Sequence, residues 1–126
     1  MKGEPAILFY DAGCPGCRLF ARVILAADTE RRIRTAPLDS AEADRVLGGM
    51  PERRRFGSYH LVVGDRVASG ASGMGPLLEG PRLLRPLGRL VRRSPTARAA
   101  AGGAYRFAAR NRARIARFLP HVRLPR

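Results

Sequence analysis

Short apolar segments, separated by turn-forming residues, recur through the first two-thirds of the chain. Four of them have strand-like patterns: residues 6–10, 32–38, 59–63 and 66–69. The first is a continuous apolar run, which is typical of a strand buried on both faces. The third and fourth are joined by Gly64-Asp65, a turn sequence that predicts a hairpin. The segment at 32–38 alternates only partly and predicts a weaker strand.

Helical spacing appears between these strands. After the first strand, apolar residues recur at Leu19, Phe20, Val23, Ile24 and Ala27. A second helix is expected after a cap at Asp39 or Ser40, with Ala43, Val46 and Leu47 inward and Gly48-Gly49 at its end. Residues 50–57 are expected to be a charged loop, and residues 72–79 a short helix. The predicted order is β-α-β-α-β-β-α. With a Cys-x-x-Cys motif after the first strand, as at Cys14 and Cys17, this order is the minimal thioredoxin-like α/β layout.

The last 47 residues have a different pattern. Helical spacing places two stripes of largely apolar positions there, the first at Leu83, Leu84, Leu87, Leu90 and Val91, and the second at Ala104, Ala108, Asn111, Ile115 and Phe118. We therefore predict two parts, residues 1–79 as the α/β core and residues 80–126 as a helical extension that packs on the same domain.

Charge separates the same two parts. The chain has a net charge of +14, yet residues 1–79 hold all ten acids and eleven bases. Residues 80–126 hold thirteen arginines and no acid. This composition excludes an acidic interaction module, and the absence of a run of about 18 apolar residues excludes a transmembrane protein.

Two interpretations of the basic extension remain open. Its arginines form a solvated face of a packed helix, or they bind an anionic surface. The candidate anion contacts are Arg106, Arg110, Arg112, Arg114 and Arg117. An anionic membrane surface or an acidic partner would suit a basic amphipathic helix. Nucleic acid is less favoured, because few aromatic residues are interleaved for base stacking.

The amino terminus shows no export signal. Its apolar run of five residues is shorter than the roughly 7–15 residues of a secretory core segment, so we expect a cytoplasmic location. Structural disulfides are disfavoured in that compartment, where cysteines are more often catalytic or metal-bound.

The two cysteines of the chain form one motif, Cys14-Pro15-Gly16-Cys17. A zinc site would need about four ligands, and His60 and His121 are the only other good candidates. Attachment of c-type haem would need histidine where Arg18 stands. A pair of buried structural thiols and a redox-active dithiol remain, and the surroundings favour the dithiol. We expect no metal and no cofactor.

The motif lies where a strand turns into a helix. Pro15 suits the first helical turn, which places Cys14 at a helix N-terminus that favours the thiolate form. Cys14 is therefore the expected nucleophile. Cys17, one turn later, is expected to be more buried and to resolve the mixed disulfide. Arg18 either adds positive charge nearby or is a solvated helix residue.

Three further residues near the motif have predicted roles. Asp11 either caps the turn or moves a proton to or from Cys17 during resolution. Tyr10 is expected to pack beside the site as a strand residue. His60 lies within a predicted strand and is expected to be structural.

The segment Tyr10-Asp11-Ala12-Gly13-Cys14-Pro15-Gly16-Cys17 resembles the signature of the DCC family of thiol-disulfide oxidoreductases. The tail segment at 105–112 resembles that family's second recurrent motif. The resemblance implies a thioredoxin-like fold and carries over Asp11, Cys14 and Cys17 as motif residues. The chain departs from the family at Ala12 and Gly16, and it has Gly57-Ser58 where thioredoxins place a cis-proline.

The leading prediction is an enzyme, a protein thiol-disulfide oxidoreductase that acts on protein or small-molecule thiols and disulfides. The alternative is a non-enzymatic basic binding module on the same scaffold, with the cysteines vestigial or sensory.

Overall fold

A four-stranded mixed sheet lies at the centre of the computed structural model, which describes residues 5–117. Its strands are β1 (Ala6–Tyr10), β2 (Ile33–Pro37), β3 (His60–Val63) and β4 (Arg66–Ser69). The α-helices of this part of the chain are α1 (Pro15–Ala27), α2 (Ala41–Leu47), α3 (Glu52–Arg55), α4 (Met74–Glu79), α5 (Arg85–Arg93), α6 (Pro95–Arg110) and α7 (Arg112–Ala116). Short 3₁₀ turns precede α4 and α5. The mixed α/β architecture is consistent with a thioredoxin-like fold.

The strands lie in the order β2-β1-β3-β4. Strands β1 and β2 are parallel, with Ala6 opposite Ile33, so the chain must cross over between them, and α1 makes that connection. Strand β3 is antiparallel to both β1 and β4. The carboxyl end of the central strand β1 therefore leads directly into the segment that carries the two cysteines.

Strand β1 is buried on both faces, as its apolar run predicts. Leu8 and Tyr10 belong to a core that includes α1 and α4, whereas Phe9 faces a second core with residues of α2. The same alternation continues in β3, where Leu61 faces the first core and Val62 the second. The helices therefore cover the sheet in two layers, with α1 and α4 on one face and α2 on the other.

Several helical predictions needed correction. Val23 and Val46 are exposed, because the buried residues of α1 are Ala21, Ile24, Leu25 and Ala27 and those of α2 are Ala43 and Leu47. Residues 50–57 are not all loop, since α3 begins after Pro51, whose carbonyl accepts the Arg55 N–H at 2.9 Å. The cap of α2 is Ser40, whose Oγ accepts the Ala43 N–H at 3.2 Å.

The C-terminal helices pack in succession: α5 lies on α4, α6 on α5, and α7 reaches α1. Only part of the predicted stripe at 83–91 is buried. Leu84 packs against the core and Val91 is buried, as the spacing predicts, whereas Leu87 and Leu90 of α5 and Leu83 of the preceding 3₁₀ turn are exposed, and Gly88 is buried. Gly88 lies against the backbone of α4, and this close approach turns the leucines outward.

The second predicted stripe is also displaced. Tyr105 faces the core in place of the exposed Ala104, and Phe118 lies outside the described residues. Within the described part of the chain, no helix is long and apolar enough to span a bilayer. The division into residues 1–79 and 80–126 stays a prediction.

Candidate dithiol site

The turn between β1 and α1 is built by Asp11. Its Oδ1 accepts the Gly13 N–H at 3.0 Å, and its backbone carbonyl accepts the Cys14 N–H at 3.1 Å. Helix α1 then begins with Pro15 in its first turn and Cys14 as the N-cap, as the sequence predicts. Asp11 therefore supports the loop that holds Cys14.

The two thiols are free and unequal. The Cys14 sulfur accepts the Cys17 backbone N–H at 3.3 Å. Burial, the hydrogen bond to the Cys14 sulfur and the negative charge there together raise the pKa of the Cys17 thiol to about 12. At neutral pH the Cys17 thiol therefore keeps its proton.

The order of burial is the reverse of the prediction. Cys14 is only 4% exposed, whereas Cys17 is partly exposed. The C-terminal helices, which local sequence could not place, lie beside both cysteines. Helix α7 contacts α1, and residues of α6 and α7 share with both cysteines the lining of one pocket.

Arg112 brings a positive charge to the site. Its Nη1 lies 3.6 Å from Asp11 Oδ2, and its charge partly offsets the upward shift of the Cys17 pKa. Arg18 instead donates from Nη1 to the Ala12 carbonyl, and its charge opposes the rise that burial causes in the pKa of Tyr10. Arg112 is the predicted anion contact that meets the dithiol, while the other four candidates, Arg106, Arg110, Arg114 and Arg117, are exposed.

A cluster of aromatic rings lies beside the cysteines. The Tyr59 ring centroid is 5.6 Å from those of Phe20 and Tyr105, and the Tyr105 Oη donates to Ser58 Oγ at 2.8 Å. The roles of Ser58, Tyr59 and Tyr105 were missed by the sequence reasoning. The tail segment 105–112 was the available signal, since it contains both Tyr105 and Arg112.

The other predicted residues have structural surroundings. Tyr10 is buried, and it lines the pocket together with the partly exposed Gly16 and Cys17. His60 is buried, with Nδ1 at 2.5 Å from Ser69 Oγ and Nε2 at 2.9 Å from the Arg55 carbonyl. Burial lowers the pKa of His60, which favours a neutral structural ring.

Two features of the described residues concern substrate and metal binding. No peptide bond between residues 5 and 117 is cis, so Gly57-Ser58 forms an ordinary trans connection ahead of β3. Over the same span, no three His, Cys, Asp or Glu side chains are grouped closely enough to hold a metal ion.

Comparison with known proteins supports the chemistry of this site. Neither curated proteins nor solved structures gave a match. The family model described as DCC1-like thiol-disulfide oxidoreductase matches residues 8–118, which include both cysteines and nearly all of the C-terminal helices. This match and the neighbouring thiols support a redox role. The chain belongs to the DCC1-like thiol-disulfide oxidoreductase family.

Proposed function

We propose that the protein catalyses thiol-disulfide exchange, with Cys14 as the nucleophile and Cys17 as the resolving thiol. The carrying observation is the hydrogen bond that the Cys17 backbone N–H donates to the Cys14 sulfur, at 3.3 Å, at the N-terminus of α1. Donors aimed at one sulfur stabilise its thiolate, and the thiolate is the attacking species. The helix N-terminus adds to this stabilisation.

In the reducing direction the Cys14 thiolate attacks one sulfur of a substrate disulfide. A Cys14–substrate disulfide forms, and the other substrate sulfur leaves as a thiolate that takes a proton. The Cys17 thiol then loses its proton and attacks Cys14. The Cys14–Cys17 disulfide closes, and the second substrate sulfur leaves reduced. The substrate gains the two electrons that the dithiol loses, and the oxidising direction is the reverse.

The structure supplies a reason for the order of these steps. Two of the effects that raise the Cys17 pKa come from Cys14, namely its charge and its hydrogen bond. Both vanish when Cys14 enters a mixed disulfide. Cys17 then ionises more readily, assisted by the positive charge of Arg112, and the Asp11 carboxylate is the nearby group able to accept its proton.

Alkylation of the reduced protein tests the assignment of the nucleophile. With a Cys17 pKa of about 12, roughly one Cys17 in 10⁵ is ionised at pH 7. Brief treatment with iodoacetamide is therefore expected to modify Cys14 about 100-fold faster than Cys17. Peptide mapping of singly labelled protein measures the ratio. Labelling of Cys17 should grow as the pH rises toward 12.

The unfolded protein is the control for intrinsic reactivity, since both thiols should then label alike. Preferential modification of Cys17 in the native protein at pH 7 would contradict the assignment.

A second candidate function rests on the exposed face formed by α5 and the 3₁₀ turn that precedes it. Leu83 is 64% exposed and Leu90 54%, and Leu87 lies between them. Three exposed arginines flank them, Arg82, Arg89 and Arg93, and none is in ion-pair contact with a carboxylate of the described residues. We infer that this surface, the α5 surface, binds an anionic membrane. Exposed leucines suit lipid, and they would gain nothing from nucleic acid.

A cleft beside α5 supports the same proposal. It has a volume of about 590 Å³ and a floor of sheet residues that include Ala6 and Val63. Glu79 and six arginines also line it, and three of the arginines already pair with a carboxylate: Arg32 and Arg85 with Glu30, and Arg92 with Glu79, while Arg66, Arg89 and Arg93 form no such pair with the described residues. An apolar floor within a basic rim matches a lipid that carries an anionic headgroup.

Binding to vesicles tests the α5 surface. We expect the protein to sediment with vesicles of phosphatidylcholine and phosphatidylglycerol, and not with phosphatidylcholine alone. Replacing Arg89 and Arg93 with glutamine should weaken binding by about 1 kcal/mol per arginine, or about fivefold for each. Added salt should weaken it further.

The matched control replaces Arg53 and Arg54, two exposed arginines of α3, with glutamine. If both double variants lose vesicle binding equally, the binding depends only on the overall positive charge, and the proposal that the α5 surface binds the membrane is wrong. Self-association of the protein that is lost on changing Leu87 to serine would assign the surface to a second copy of the chain.

A further inference from the structure

An apolar pocket adjoins the dithiol. It has a volume of about 200 Å³, and both cysteine residues line it. Five aromatic side chains take part: Tyr10, Phe20, Phe56, Tyr59 and Tyr105. Helices α6 and α7 close the opposite side with Ala108, Ala109 and Ile115. Any disulfide that reaches the sulfur atoms must therefore pass these apolar walls.

Two of the three tyrosine hydroxyls in the lining, those of Tyr59 and Tyr105, already donate hydrogen bonds within the protein. Tyr59 Oη donates to the Gly70 carbonyl at 2.7 Å, and Tyr105 Oη donates to Ser58 Oγ at 2.8 Å. The ring faces remain for a ligand. Two charged residues of the lining, Asp11 and Arg112, form an ion pair with each other. A charged group that entered would lose water and would have to compete with this ion pair.

The volume limits the occupant. Sites for drug-sized ligands measure roughly 300–1,000 Å³, so a pocket of about 200 Å³ is suited to one side chain and not to a whole cofactor. If an aromatic or branched aliphatic side chain of the substrate is buried in the pocket, the substrate cysteine next to it in sequence is held against Cys14.

We propose that this pocket selects the substrate by receiving an apolar side chain next to the reacting cysteine. The substrate class is then disulfides flanked by an aromatic or branched aliphatic residue. Glutathione-type disulfides, whose flanking groups are charged, fit poorly. This inference rests on the proposed exchange activity, because it assigns the specificity of the same dithiol.

Matched peptide disulfides test the proposal. Two short peptides differ only in the residue before cysteine, phenylalanine in one and glutamate in the other, and each is joined to thionitrobenzoate. Attack by Cys14 releases the coloured thiol. We expect the second-order rate constant of this release, measured over a single turnover of the reduced protein, to be at least about tenfold higher for the phenylalanine peptide. The net charge of +14 attracts the glutamate peptide, so electrostatic steering cannot produce this preference.

A pair of variants on one helix locates the effect. Ala108 lines the pocket, whereas Ala104, one turn earlier on α6, does not, and both are exposed. Ala108→Glu should remove most of the preference for the phenylalanine peptide. Ala104→Glu, with the same charge and a similar helix propensity, should preserve the wild-type ratio. Loss of the preference in both variants would place the effect outside the pocket.

The outcomes separate this inference from the exchange activity. If the two peptides react at equal rates, and both rates still depend on Cys14, the proposed role of the pocket in specificity is wrong and the proposed exchange activity is retained. Absence of any Cys14-dependent release would overturn the activity. In that case, NMR titration with the phenylalanine peptide that has serine in place of cysteine tests whether the pocket binds an apolar side chain. Shifts at the Tyr59 and Tyr105 rings support the pocket, and their absence overturns it.

Discussion

Replacing Cys14 with serine is expected to reduce disulfide exchange by at least about a thousandfold, because a serine hydroxyl does not supply an ionised nucleophile at neutral pH. Cys17 cannot take its place. Its pKa of about 12 leaves almost none of it ionised, and the loss of the Cys14 charge relieves only part of that shift, since burial is the largest cause. Release of thionitrobenzoate from the phenylalanine peptide measures the loss.

Cys17→Ser is the informative partner variant. It should still attack the substrate, because Cys14 and the N–H of residue 17 that points at its sulfur both remain. Resolution should fail, so that one equivalent of peptide stays bound to Cys14 and is visible by intact mass spectrometry. If Cys17→Ser releases the bound peptide as fast as the wild-type protein does, Cys17 is not the resolving thiol. A stable peptide adduct on Cys17 in Cys14→Ser would reverse the two roles.

The parts of the site that could be predicted are those set by residues adjacent in the chain. A buried run followed by Asp11, Cys14 and Pro15 predicts a strand, a turn and a helix start, and each forms as expected. These features depend on local chemistry: an aspartate that caps a turn, and a proline whose missing N–H costs nothing in a first helical turn. The family resemblance depends on the same residues, and the match over residues 8–118 confirms it.

The parts that could not be predicted depend on packing between distant segments. Tyr105 reaches Ser58 and Arg112 reaches Asp11 because α6 and α7 return to the end of α1. Cys14 is also more deeply buried than Cys17, against the expectation. Periodicity shows that a segment is helical, but it does not show which neighbour its face will meet.

The leucines of α5 illustrate the same limit. Their spacing is that of a core-facing stripe, and a sequence pattern gives no sign that Gly88 will set the orientation of the helix. A close approach of two backbones is favourable enough to leave Leu83 and Leu90 in solvent. Exposed apolar residues of this kind, grouped with arginines, are the reason for proposing the α5 surface.

Gly88→Val is expected to destabilise the protein by about 3 kcal/mol relative to Gly103→Val, measured by urea denaturation. A Cβ at position 88 would lie 2.5 Å from the Glu79 backbone nitrogen and 2.7 Å from the Leu78 carbonyl carbon, so α4 and α5 would have to separate. At Gly103 nothing lies within 4 Å of the added Cβ. Both glycines lie inside helices, so the intrinsic helix propensity of valine cancels in the comparison.

The same pair of variants connects stability with specificity. Helix α6 packs on α5, and it carries Tyr105 and Ala108 into the wall of the pocket. If separation of α4 and α5 displaces that wall, Gly88→Val should lose the preference for the phenylalanine peptide at temperatures where it is still folded. Alkylation of Cys14 should remain fast, since the strand-turn-helix that holds it is formed by residues 6–27. Equal stabilities of Gly88→Val and Gly103→Val would show that the contact between α4 and α5 is not what holds the C-terminal helices on the core.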